Sequence, residues 1–467
     1  MPRTHCASLP RRDFLSAAAA ALAVSPWVAR VTDRSGPRRP RPTPAQLRWQ
    51  QDEMALFVHF GVNTFTDREW GEGTESPAIF TPASLDARQW ARAARAGGFT
   101  SLILTAKHHD GFCLWPTATS RHSVASSPWK GGQGDVVREF VDACRAEGLR
   151  PGLYCSPWDR NAPAYGDSPA YNEMYLAQLS ELLGNYGPLA EVWFDGANGE
   201  GPKGKKQVYD WPRFFGHVKR LQPDAVIFSD AGPDVRWIGN EKGEAGDPCW
   251  STIDPAAVPF PGADGPDIIS ALQHGSPEGS VWRPGESDTS IRPGWFYHPA
   301  EDDKVKPVDE LVRLYFASVG RNSKLLLNVP PTREGLLHAT DVSRLAEVRG
   351  ALDAIFHDDL AKGRKPGWAK NAADQLVGEV ILDREQVVGL VDLREEIAEG
   401  QRVAQYRVEG LTRQGWRQLA RGTTIGYRRL QAVAPTPVLR VRVILESVVE
   451  PSRPLRIALY AGTTLPA

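Results

Sequence analysis

The sequence predicts a TIM-like (β/α)8 barrel followed by a C-terminal β-sandwich, and three observations carry the prediction. Short apolar runs alternate with helical patterns over about 300 residues, the grammar of a parallel barrel. After "KGRKPGWAKN" (362–371) the alternation stops, and strand runs follow one another with only polar turns between them. In the first part, four successive strand runs end in polar or ionisable residues, where such a barrel carries its chemistry.

In chain order, "ALFVHFGVN" (55–63) reads as the first strand and "SLDARQWARAARAGG" (84–98) as an amphipathic helix closed by glycine. "TSLILTAKHH" (100–109) and "GDVVREFVDACRAEGL" (134–149) repeat the unit, as do "RPGLYCSPW" (150–158) and "NEMYLAQLSELLGNYG" (172–187). The strand "AEVWFDG" (190–196) precedes "WPRFFGHVKRLQP" (211–223) and "DAVIFSDAG" (224–232). Residues 232–300 are irregular, rich in Gly, Pro and Trp. A helix in "VDELVRLYFASVGRN", a strand in "SKLLLNVPP" and a closing helix in "VSRLAEVRGALDAIFHDD" complete the barrel. From "GEVILD" to "PLRIALY" the remaining runs predict a sandwich of about 100 residues. The chain therefore divides into a leader and linker (1–43), a barrel (44–362) and a sandwich (363–467).

The leader has its own logic. "LPRRDFLSAAAAALAVSPWVA" carries Arg11-Arg12 ahead of an Ala-rich apolar run and small residues, the pattern of a twin-arginine export signal. The alternative is an uncleaved anchor, but the run is short and Ala-rich for a bilayer span. Periplasmic or secreted placement is the expectation, after a Pro/Arg-rich linker "TDRSGPRRPRPTP". Without residues 1–40 the chain holds 48 basic against 54 acidic residues, and it has no basic cluster, which argues against a nucleic-acid partner. Cys113, Cys144, Cys155 and Cys249 show no C-x-x-C spacing, so buried reduced thiols are expected rather than a zinc site or disulfide framework. The 15 tryptophans suit the apolar faces of sugars, although indole is also a common core residue.

The strand ends supply the candidate site. They are His59 in "FVHFG", His108-His109-Asp110 in "KHHDGF", Tyr154 in "GLYCSPW" and Asp195 in "WFDG". A metal site at the two histidines is disfavoured, because neighbouring strand residues point to opposite faces unless the strand bulges. No H-E-x-x-H or calcium-loop pattern supports a metal, and no G-x-S-x-G supports a serine hydrolase. Histidines here suit the holding of hydroxyl groups; each could equally be a core histidine with a local partner.

Taken together, "HFGVNTFTDREWGEG", "LILTAKHHDGFCLWPT", "GLYCSPWD", "EVWFDGANGEG", "FSDAGPDVRWIGNEKGEAG" and "SIRPGWFYH" resemble glycoside hydrolase family 29, the α-L-fucosidases. The resemblance is to the branch associated with α-1,3/1,4-linked branched fucosides, and it runs from about residue 44 into the sandwich. It implies a TIM-like barrel, a β-sandwich, and a retaining mechanism with no metal and no cofactor. It implies Asp195 as nucleophile and Glu241 as acid/base, with Glu286 in "WRPGESDTS" as a rival that suits a turn or a second-sugar contact. It further implies His59, His108, His109, Tyr154 and Trp193 around the fucose, with Glu69, Trp70, Arg236, Trp237 and Trp295 as sugar contacts. The C5 methyl of fucose would rest on Trp193, Trp295 or Phe60. The partner is then a fucosylated oligosaccharide or glycoconjugate. Two other readings stand beside it: a hydrolase of another α-linked deoxy sugar or galactoside, and a non-catalytic sugar-binding barrel.

Overall fold

The computed structural model describes residues 39–451 and 455–462; the twin-arginine stretch lies outside the described residues. Eight strands close into a barrel: β1 Met54–Val58, β2 Ser101–Lys107, β3 Arg150–Cys155, β4 Glu191–Trp193, β5 Val226–Ser229, β6 Val235–Trp237, β7 Gly285–Ser290 and β8 Lys324–Asn328. Every pairing is parallel, in chain order, with β8 returning to β1. β1 and β2 are buried along their whole length, as strands covered on both faces must be. The predicted helices are present at Ala87–Ala96, Val136–Ala146, Ser168–Asn185, Trp211–Leu221, Val308–Ala317 and Ala339–Phe356. Asp86, Asp135 and Asp210 start three of them by accepting from the N–H of Gln89, Arg138 and Arg213.

The irregular region 232–300 contributes β6 and β7, which apolar patterning did not reveal. No helix joins β5 to β6; residues 230–234 turn directly between them. β7, "GESDTS", is buried throughout although five of its six residues are polar or charged. Its Glu286 faces the barrel interior with Glu191 and Lys324. There Trp49 Nε1 donates to Glu191 Oε2 at 2.8 Å, and Lys324 Nζ lies 3.2 Å from Glu191 and 3.7 Å from Glu286. Above this charged floor sit Phe57, Ile103, Trp193, Phe228 and Leu326. A larger apolar shell, which includes Phe60, fills the space between strands and helices. Cys113, Cys144, Cys155 and Cys249 are buried free thiols.

The C-terminal part is one antiparallel sheet: β9 Gly367–Lys370, β10 Leu376–Arg394, β11 Val403–Thr412, β12 Gly415–Gly422, β13 Arg429–Val448 and β14 Arg456–Tyr460. β10 and β13 pair over most of their length, with register shifts that bend them. Residues from both halves of each, such as Val380, Val391, Val438 and Leu445, join the domain's own core. The sheet thus folds over itself.

This domain docks on the N-terminal ends of the barrel strands, opposite the face that carries the candidate site. Glu53, one residue before β1, accepts from Arg428 Nη1 (2.7 Å), Arg394 Nη1 (3.0 Å) and Tyr315 Oη (2.6 Å). Asn322, just before β8, accepts from Tyr427 N at 2.8 Å. Burial pushes the Glu53 pKa up, but the Arg428 and Arg394 charges outweigh it and hold it below its ordinary 4.5. A carboxyl with a depressed folded-state pKa stabilises above its unfolded value, and that stability is lost as pH falls through the folded one. Glu53→Gln should therefore cost about 3 kcal/mol at pH 7, with the gap to wild type closing below about pH 4. Thermal midpoints at both pH values check this; an equal gap at both would show that the charge is not what stabilises the junction.

Candidate active site

Most barrel strands deliver a polar side chain to the C-terminal face, among them His59, Tyr154, Asp195, Asp230, Asp288 and Asn328. Asp195, two residues past β4, is the centre: Tyr154 Oη donates to its Oδ2 at 3.0 Å and Ala197 N to its Oδ1 at 2.7 Å. Tyr154 stays protonated as a donor, because burial and the Asp195 charge raise its pKa well above the usual value. His109 Nε2 lies 3.8 Å from Asp195 Oδ2. Ser156 donates its proton to Trp158 O at 2.8 Å, so its oxygen accepts from His109 Nδ1 at 2.7 Å. The imidazole then presents an unprotonated Nε2 to the site.

His59 is fixed by the same logic. Asn328 donates to Ser290 Oγ (2.9 Å) and Trp295 O (2.8 Å), which turns its Oδ1 toward His59 Nδ1 at 2.8 Å. Burial drives the His59 pKa down to about 3 and lowers those of His108 and His109. All three are neutral imidazoles, suited to hydroxyl groups and not to anions. β2 ends at Lys107 and its register slips between Thr105 and Lys107, so strand alternation does not separate the two neighbouring histidines. Their rings lie 4.1 Å apart, with His108 stacked on Tyr154. His108 Nδ1 has no hydrogen-bond partner among the described residues. No group of three or more His, Cys, Asp or Glu among the described residues is placed to hold a metal ion.

On the other side of Asp195 opens a cavity of about 880 Å³, lined by Asp230, Trp237, Glu241 and Asp288 among others. Burial, then the Asp195 charge, lifts the Asp230 pKa to about 7. Burial and Glu241 lift Asp288, which accepts from Trp237 Nε1 at 2.7 Å. Glu241 sits at the exposed mouth, its Oε2 3.4 Å from Trp295 Nε1. Crowding by the surrounding protein raises its pKa, the Trp295 contact opposes that, and the charges of Asp195 and Glu69 add to the rise. Burial and neighbouring carboxylates thus make Asp230, Glu241 and Asp288 each harder to ionise than a free carboxyl.

Several expected contacts are placed otherwise. Arg236 does not reach the cavity. In the three-residue strand β6, Val235 points into the barrel and Arg236 away from it. Its fully buried guanidinium donates to the carbonyls of Leu272 (2.8 Å), Trp250 (2.9 Å) and Arg283, making it a structural clamp. Glu286 is in a strand and not a turn; its Oε1 accepts from Trp193 Nε1 at 3.0 Å, below the cavity. Trp193 borders the cavity, but its ring is stacked on Phe228 at 3.9 Å. Phe60 packs outward against Phe80 and Trp90 and offers no surface to a sugar. Glu69 ties the loop after β1 to residues 295–298, accepting from Trp295 N, from Phe296 N at 3.2 Å and pairing with His298 at 2.9 Å. Trp70 is 58% exposed, edge-on to His109 and Trp158. Trp295 lies 5.2 Å from the His59 ring. Asp230, Asp288, Asn328 and Ser156 were not anticipated. The strand-end rule applied to "FSDAG" and "LLLNVPP" points to Asp230 and Asn328.

A parallel barrel whose strand ends bring a firmly held carboxylate near a second, pKa-raised carboxyl, among neutral imidazoles and indoles, defines a glycoside hydrolase. The alpha-L-fucosidase family profile matches residues 38–353. Alpha-L-fucosidase 1 of Arabidopsis thaliana is 43% identical over 423 residues, covering 84% of this chain and 82% of its own. The crystal structure of SpGH29 superposes with a TM-score of 0.84 at 39% identity, over 91% of this chain and 99% of that one. A Ruminococcus gnavus GH29 fucosidase, solved in complex with fucose, gives 0.82 at 31% identity over 92% and 97%. The chain belongs to the alpha-L-fucosidase family. No helix among the described residues is long and apolar enough to cross a membrane.

Proposed function

We propose that the chain is a retaining exo-α-L-fucosidase releasing terminal α-1,3/1,4-linked L-fucose from branched glycans. The observation that carries it is Asp195, held by Tyr154 and Ala197 and electrostatically coupled to Glu241. Asp195 attacks the anomeric carbon as its bond to the leaving oxygen breaks, and the Glu241 proton goes to that oxygen. Water then attacks the fucosyl–Asp195 ester, giving its proton to the Glu241 carboxylate and freeing fucose. His59, His108 and His109 hold the ring hydroxyls, while Trp70 and Trp295 cover apolar faces, Trp295 receiving the C5 methyl. Because the first step needs a protonated acid, activity falls as pH rises through the elevated Glu241 pKa.

Remote contacts with a branching sugar lower the barrier only when that sugar is present. Branched α-1,3- and α-1,4-fucosylated trisaccharides should therefore show at least about tenfold higher kcat/KM than an α-1,2-fucosylated one. Equal values would overturn the linkage reading. Arg11-Arg12 ahead of the apolar run supports export to the periplasm or beyond. An Arg11→Lys, Arg12→Lys pair should strand the chain in the cytoplasm, as fractionation and N-terminal sequencing would show; unchanged export would exclude the twin-arginine route.

A further inference from the structure

Among the described residues, the barrel leaves four large hydrophobic side chains exposed: Trp70, Val208, Leu221 and Phe260. Three of them surround the site. Trp70 lies edge-on to His109, while Val208 (72% exposed) and Phe260 (55% exposed) line the 880 Å³ cavity beside Asp195. A single exposed apolar residue needs no explanation; two lining one acidic cleft do.

The wall that carries Phe260 is locked to the nucleophile. Asp230 Oδ2 accepts from Gly262 N at 2.8 Å. Gly262 has φ +83°, and a Cβ there would lie 2.2 Å from Gly196 O, while a Cβ on Gly196 would lie 2.5 Å from Gly262 N. The loop bearing Phe260 therefore meets the residue after Asp195 backbone to backbone, with no room for a side chain. The cavity holds Glu241 but none of the three site imidazoles, so it extends from Asp195 toward the acid, the side on which the leaving group departs. Its lining has five carboxyl-bearing residues and one basic residue, Lys206.

We infer that Phe260 and Val208 present apolar surface within this acidic cleft to the C–H face of a neutral sugar in the leaving group, so that the enzyme is built for uncharged fucosylated oligosaccharides. This rests on the fucosidase reading above, with Glu241 on the leaving-group side. Aromatic rings pack well on the C–H faces of pyranoses, and the surplus of carboxyl groups disfavours sulfated or sialylated neighbours.

The test compares kcat/KM on a neutral fucosylated trisaccharide that the wild type cleaves, whatever its linkage, with α-L-fucosyl fluoride, whose leaving group is one atom. Phe260→Ala should lower the trisaccharide value about tenfold, chiefly through KM, and change the fluoride value less than about twofold. Val208→Ser should act in the same direction and Phe260→Trp should retain the wild-type value. A sialylated form of the trisaccharide should be the poorer substrate. Parallel losses on both substrates, no loss on the trisaccharide, or equal rates on neutral and sialylated glycans would overturn the inference. A wild type inert on fucosyl fluoride would instead overturn the fucosidase reading, and this inference with it.

Discussion

Asp195→Ala is expected to lower turnover on an aryl α-L-fucoside by on the order of 10⁴-fold or more while leaving the fold intact. The loss is large because no second group can take over: the Tyr154 hydroxyl and Ala197 N–H that orient Asp195 are both donors. His109 Nε2, at 3.8 Å, belongs to a ring already held by Ser156. The neighbouring carboxyls are poor substitutes, since Asp230 is held to Gly262 N and, like Asp288, has its pKa raised. The Asp195 side chain is 27% exposed, so its removal empties little packed volume and the thermal midpoint should hardly move. Azide can occupy the vacated space and attack the anomeric carbon once, yielding the inverted β-fucosyl azide. Turnover within about tenfold of wild type would remove Asp195 from the nucleophile's role, because a lost covalent nucleophile costs far more than that.

The sequence made the barrel legible through period and punctuation. Helical patterns, two of them closed by glycine, show where the helices run, and in the structure Asp86, Asp135 and Asp210 cap three of them. It was weakest at β6 and β7. "VRW" is too short to show a period, and "GESDTS" has no apolar residue at all, since its inward side chains face a charged interior. The same cause misplaced two site residues. Pro284-Gly285 before Glu286 signals a turn, yet Lys324 and Trp193 make a strand position for that carboxyl. Arg236 stands beside Trp237 in sequence, but a period of two sends the neighbours to opposite faces. For His108 and His109 strict alternation is the wrong guide: the strand's register slips just before them, and their rings lie side by side. Asp195, Tyr154 and His59 were legible because each ends an apolar run whose direction the barrel fixes.

The acid/base assignment is where structure adds most to sequence. Glu241 lines the cavity beside Asp195, at the open mouth where a leaving group can reach it. Glu286 is enclosed in the barrel, bonded to Trp193 and facing Lys324 and Glu191. Both have raised pKa values, for different reasons: Glu241 through crowding and the charge of Asp195, Glu286 through burial and the charge of Glu191. On the proposed reading Glu241, at the cavity mouth, is the group that passes a proton to the substrate. A general acid matters most for a poor leaving group, because a good phenolate departs without protonation. Glu241→Ala should therefore slow oligosaccharide cleavage by about 10²–10⁴-fold while sparing the first step on a dinitrophenyl fucoside. Azide should restore turnover there by attacking the fucosyl–enzyme, giving the retained α-fucosyl azide. The basic limb of the pH profile should flatten, since the raised Glu241 pKa sets where the acid loses its proton. Glu286→Ala should do something else: leave Trp193 N–H without its acceptor, lower thermal stability by about 3 kcal/mol, and slow good and poor leaving groups alike. If leaving-group dependence instead follows Glu286→Ala and is absent from Glu241→Ala, the proton comes from inside the barrel and Glu241 only shapes the mouth.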